Sequence, residues 1–150
     1  MFIVTLIVYV GVKILEAVEN NQNKGFIGMS EYKKNLKRLN ILKTFKGGDN
    51  EDVPLHKNAI SDMEYLVELC KYHSLPQPEI FPWSGGNGIQ AEWSYDWYLE
   101  IDSAHNGISI LFVKEKYYDS AISMYVKDIE EAFKLVKVFL NHVVDLNGSR

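Results

Sequence analysis

A chain of 150 residues is long enough for one domain around one core, and its 47% hydrophobic and 24% charged residues exclude a disordered or low-complexity protein. A lone cysteine, Cys70, excludes an intramolecular disulfide framework and points to a reducing, cytoplasmic compartment. The net charge of −4 divides unevenly. Residues 1–48 carry eight Lys/Arg against three Asp/Glu, a net of +5, and residues 49–150 carry eight against seventeen, a net of −9, a field that repels nucleic acid.

Residues 1–28 form an apolar leader. The run Phe2–Val12 is interrupted only by Thr5 and Gly11. It is shorter than the roughly 20 apolar residues of a transmembrane helix, and it lacks the basic start and small-residue cleavage site of a signal peptide. Two readings stand side by side. One is a weak anchor or a segment docked on the core. The other is an upstream translation extension ahead of a start at Met29. Lys24-Gly25 is encoded by AAR-GGN, which can contain a purine-rich ribosome-binding site, and three codons separate it from Met29-Ser30-Glu31. Intact-mass measurement of the native protein decides between them. A membrane role is expected only if residues 1–18 are expressed.

Residues 29–53 read as a basic helix and linker. From Ser30 to Phe45, Tyr32, Leu36, Leu39 and Phe45 recur near helical spacing, with Ser30 as N-cap and Gly47-Gly48 as the stop. Lys33, Lys34, Lys37, Arg38 and Lys43 fall mostly on the other side, a pattern that suits phosphate or nucleic-acid contact. A solvated face, or packing beside the acidic part of the same chain, accounts for the same charges.

Residues 54–150 read as an acidic α+β domain. The predicted fold is an antiparallel sheet of four to five short strands packed by two to three amphipathic helices. A helix over about 57–73 presents Ile60, Met63, Leu66, Val67 and Cys70, and Leu75-Pro76-Gln77-Pro78 ends it. Glu79-Ile80-Phe81 is a short strand between prolines, placed at a sheet edge. Ser84–Gly88 is a glycine turn. Ile89–Ser94 alternates, with Ile89, Ala91 and Trp93 on one face and Gln90, Glu92 and Ser94 on the other. Tyr98–Asp102 alternates again with Leu99 and Ile101 inward. His105-Asn106-Gly107 is a hairpin turn, and Ile108, Ile110 and Phe112 line the next strand. A strand over 121–126 and a closing helix complete the domain. Asp128 caps that helix with Glu131 three residues on, and Ile129, Phe133, Val136, Phe139, Leu140 and Val143 form its apolar stripe.

No residue set satisfies the spacing of a catalytic, cofactor or metal site. Glu92, Glu100 and Asp102 share an outward face, where paired carboxylates are also ordinary solvated residues. His56, His73, His105 and His142 lack partners at metal-ligand spacing, and Cys70 falls on a buried stripe. The Gly85-Gly86-Asn87-Gly88 segment lacks the Lys and helix of a phosphate loop. Trp83, Tyr95, Trp97, Tyr117 and Tyr118 cluster near turns, as partner anchors or as packing at the rim of the core.

Four segments carry a resemblance: Pro78-Glu79-Ile80-Phe81-Pro82, Gly88-Ile89-Gln90-Ala91-Glu92-Trp93, Tyr98-Leu99-Glu100-Ile101-Asp102 and Gly107-Ile108. Over about residues 45–113 the chain resembles a widespread family of small bacterial and phage proteins. In that family a helix leads into a Pro-x-Ile-x-Pro stretch, a Gly-Gly-Ile-Gln-Leu-Glu-Trp strand, a Leu-Glu-Ile-Glu-Ile strand and a Gly-x-Ile hairpin. The family's Gly-Trp-Asp-Gly-rich segment is replaced here by Lys46-Gly47-Gly48-Asp49-Asn50, without the Trp. The resemblance implies a mobile-element setting near toxin–antitoxin or phage-defence genes, and no activity.

The expected function is a non-enzymatic protein-interaction module in bacterial or phage defence or counter-defence, such as an inhibitor whose acidity imitates nucleic acid. Its partner contacts would be Trp83, Glu92, Tyr95, Trp97, Glu100, Asp102, Tyr117 and Tyr118. The alternative is nucleic-acid binding through Lys33, Lys34, Lys37, Arg38 and Lys43.

Overall fold

Every strand among the described residues pairs antiparallel with its neighbour in sequence, so the five-stranded sheet is a simple meander. The computed structural model describes residues 28–44, 55–82, 87–95, 97–104, 107–114 and 121–148, with side chains through residue 142. Within them lie three helices, α1 (residues 28–42), α2 (Lys57–Tyr72) and α3 (Ile129–Gly148). The strands are β1 (Glu79–Pro82), β2 (Ile89–Ser94), β3 (Trp97–Ala104), β4 (Gly107–Lys114) and β5 (Ile122–Val126). The fold is α+β, as the alternating patterns predict.

Period-two alternation sorts the sheet into two faces. The register aligns Ile80, Ala91, Ile101, Ile110 and Met124 in one inward row across all five strands. A neighbouring inward row holds Trp93, Leu99, Phe112 and Ile122. Between them, on the opposite face, run Glu79, Glu92, Glu100, Leu111 and Ser123.

The inward face is closed by α2, which reaches β2 and β3, and by α3, which reaches β4 and β5 and touches α2. α2 buries Ala59, Met63, Leu66, Val67 and Cys70. α3 buries Ile129, Ala132, Phe133, Val136 and Leu140. Each large aliphatic side chain so removed from water contributes about 1.5–3 kcal/mol. The one polar side chain buried in the sheet among the described residues, Ser103, donates to Asp62 Oδ2 of α2 at 2.6 Å, so its hydroxyl is satisfied and α2 is tied to β3.

Local chemistry fixes the helix ends. The Glu131 amide donates to Asp128 Oδ1 at 2.9 Å, while Glu131 Oε2 accepts from the Lys127 amide at 3.0 Å, a capping-box-like start for α3. At the end of α2, the Leu75 amide donates to Cys70 O at 2.8 Å and the Ser74 amide to Lys71 O at 3.1 Å. This is the paired ladder of a Schellman cap, with Ser74 at φ +54° where glycine is usual.

α1 lies against α2 and the β1 side of the sheet. The Asn35 amide donates to Pro78 O at 2.9 Å, and Tyr32 hydrogen-bonds to Glu68. β1 is an edge strand as expected, with Glu79, Pro82 and α1 shielding it from further pairing. Gly88 lets β2 and β3 approach: a Cβ there would stand 2.6 Å from the Ser103 carbonyl oxygen.

Two expectations are corrected. Ser30 does not cap α1, because residues 28 and 29 are already helical and Ser30 sits on its outward face. Phe139 is not in the buried stripe of α3 but 39% exposed, since it falls at the stripe's margin and Val136 and Leu140 fill the centre. Phe45, Gly47 and Gly48, the rest of that reading of α1, lie outside the described residues, as does the leader at 1–27.

Candidate functional site

The outward face of the sheet gathers the chain's acidic strand residues. Glu92 of β2 stands directly opposite Glu100 of β3, and Gln90 stands opposite Asp102. Opposed residues on one face have Cβ atoms about 4.5–5.5 Å apart, so like charges there repel. Gln90 answers this with its amide. Its Nε2 lies 2.6 Å from Glu92 Oε1, 2.7 Å from Glu100 Oε2 and 3.1 Å from the Tyr98 hydroxyl. Tyr98 in turn donates to Glu100 Oε2.

Asp102 is the member left over. Its Oδ1 is buried with no hydrogen-bond partner among the described residues. Burial raises its carboxyl most, and the adjoining Glu100 and Glu92 raise it further, to about 8. Burial and Glu100 also push the Tyr98 phenol up. Near neutral pH the cluster therefore keeps Asp102 as a carboxylic acid. It can accept an ammonium or guanidinium group, and that approach would favour release of the Asp102 proton. Among the described residues no three His, Cys, Asp or Glu side chains are grouped to hold a metal ion.

The aromatic candidates lie elsewhere. Trp97 shares the inward face with Leu99 and Ile101 and packs against the core. Its ring is 5.4 Å from Tyr95 and 5.7 Å from Phe112, which stacks on Phe139 at 4.7 Å. The four rings form a ladder from the β2–β3 turn to α3, ending at the rim where Tyr95 and Phe139 are partly exposed. Trp97 and the carboxylates are thus on opposite faces and cannot form one patch. Trp83, Tyr117 and Tyr118 lie outside the described residues.

Gln90 and Tyr98 were missed as site residues. The signal was present, because alternation puts Gln90 on the same face as Glu92, and Tyr98 on the same face as Glu100 and Asp102. Cys70 is buried, as its helical position predicts, and burial pushes its thiol up to about 12, which leaves it unreactive. His73 packs beside Phe133 and meets Lys137 Nζ at 3.2 Å, while His56 precedes α2 and its amide donates to Asn87 O at 2.6 Å. His142 is exposed, and His105 lies outside the described residues.

The basic candidates stay together on α1, with one exception. Lys33, Lys34, Lys37 and Arg38, with Ser30 and Ile41, line an open cavity of about 520 Å³. Arg38 also lies 4.8 Å from the Phe81 ring. Lys43 instead pairs with Glu64 of α2 at 2.5 Å and belongs to the helix–helix contact. Comparison with protein-family models, with characterised proteins and with solved structures gave no match to this chain.

Proposed function

We propose that this chain is a non-enzymatic protein-interaction module whose acidic sheet face receives a cationic segment of a partner. The observation that carries the reading is the cluster of Glu92, Glu100 and Asp102 on one face, bridged by Gln90 and Tyr98. The sheet holds these groups in fixed register, and an Asp102 oxygen that no described residue hydrogen-bonds leaves room for a donor from a partner. The defence or counter-defence setting implied by the hairpin resemblance is part of the same proposal, with a nuclease or other basic protein as the natural class of partner.

The test is affinity capture from the native host with the wild type and with Glu92→Lys/Glu100→Lys, the fold of both verified by circular dichroism. A protein retained by the wild type and lost from the variant is expected, with tighter retention as pH rises through the Asp102 range. Equal retention by both overturns the reading.

A further inference from the structure

We propose a second binding surface: the outward face of α1 binds the phosphate backbone of nucleic acid, independently of the acidic sheet. Ser30, Lys33, Lys34, Lys37, Arg38 and Ile41 fall within one side of the helix at spacings of three and four. The opposite side, with Tyr32, Asn35, Leu39 and Leu42, is buried. The cations are therefore turned outward by the helix period and held there by a packed reverse face.

Pairing with a carboxylate separates most of them from three other cations of the described residues. Lys43 meets Glu64, Lys71 lies 4.0 Å from Glu68, and Lys134 lies 3.5 Å from Glu130. On the outward face of α1, among the described residues, only Lys34 has a carboxylate, Glu31, at 3.4 Å. Lys33 and Lys37 have none among the described residues. Lys33 with Lys37, and Lys34 with Arg38, are like-charge pairs four apart, an arrangement that weakens a helix. α1 keeps it because its buried face is anchored on α2 and β1. An anion lying across this face would meet four cations, of which Lys34 alone has a carboxylate among the described residues.

A row of phosphates fits this geometry better than a single small anion. The charges repeat over successive turns rather than converging on one point, and the cavity they line is open. The Arg38 guanidinium carbon lies 4.8 Å from the Phe81 ring centroid, and its forked donors suit a bidentate phosphate contact. The contacts are made by side-chain charge alone, so binding would be independent of sequence. The acidity of residues 49–150 does not forbid it, because repulsion from the sheet is screened beyond a Debye length of about 10 Å at 0.1 M salt.

Fluorescence anisotropy of labelled single-stranded and duplex oligonucleotides across a salt series tests the proposal with the full chain. Binding at low salt is expected, falling with a log–log slope of about −3 to −4 if four phosphates are neutralised. Lys33→Ala/Lys34→Ala/Lys37→Ala should abolish it with the circular dichroism spectrum unchanged. Lys33→Arg/Lys34→Arg/Lys37→Arg should retain it, and Glu92→Lys/Glu100→Lys should not weaken it. Absence of binding at low salt overturns the proposal. So does equal binding by the triple alanine variant, or binding confined to anionic vesicles or to free nucleotide and inorganic phosphate.

Discussion

The two faces of one sheet are built on opposite terms. The inward face buries Ile80, Ile89, Ala91, Leu99 and Ile101, and its single polar intruder, Ser103, is matched to Asp62. The outward face sets Glu92 against Glu100 and leaves an Asp102 oxygen without a hydrogen-bond partner among the described residues. The same backbone ladder serves both, so the difference lies wholly in side-chain chemistry. Stability comes from the closed face, while the open face carries repulsion that the closed face must offset. Groups kept in that arrangement at a cost to folding are the ones to examine for binding.

The contrast can be broken most severely from the inside. Leu99→Ala leaves a cavity beneath the helices and should lose about 2–5 kcal/mol in urea unfolding. Gly88→Ala attacks the joint between β2 and β3. Its methyl would meet the Ser103 carbonyl at 2.6 Å, so the strands must shift, at about 1–3 kcal/mol by the same measurement.

A change on the outward face should act in the other direction. The Asp102 carboxyl is raised from 3.8 to about 8 in the folded chain, so between these values the folded state holds a proton that the unfolded state has released. Its contribution to stability is complete below pH 4 and is lost as pH rises through 8. Asp102→Asn should remove that slope and gain about 1 kcal/mol at high pH, after allowance for solvent screening. Unfolding midpoints across the pH range check this, and a variant with the wild-type slope would show that Asp102 is not the group responsible. The smallest effect expected is from Ser74→Gly, which relieves a left-handed serine at the end of α2 and should stabilise by a few tenths to about 1 kcal/mol. Thermal melts would detect it.

Much of this was legible in the residues. Strict alternation from Ile89 to Ser94 and from Tyr98 to Asp102 fixes which side chains face inward, and Asp128 with Glu131 announces the start of α3. What escaped depends on partners far away in sequence. Trp97 sits beside turn residues in the sequence, although alternation back from Leu99 already puts it inside; its packing with Phe112, which stacks on Phe139, is tertiary. Ser74 gives no compositional sign of a left-handed cap, because serine is common in many turns. The proton on Asp102 reflects burial and two neighbouring strands at once, and a one-dimensional pattern records neither. The basic side of α1 was visible, but not that Lys43 leaves it for Glu64.

The meander has a consequence for how the chain assembles. With no crossover between strands, each pairing closes only a short loop, and closure entropy grows slowly with length. Local pairings of this kind favour rapid folding. The exception is the meeting of α3 with α2, which must bring together segments that follow and precede the entire sheet in sequence. We expect that docking to form late. Substitutions in α3 such as Val136→Ala should then speed unfolding far more than they slow folding, and a chevron plot would read that asymmetry directly.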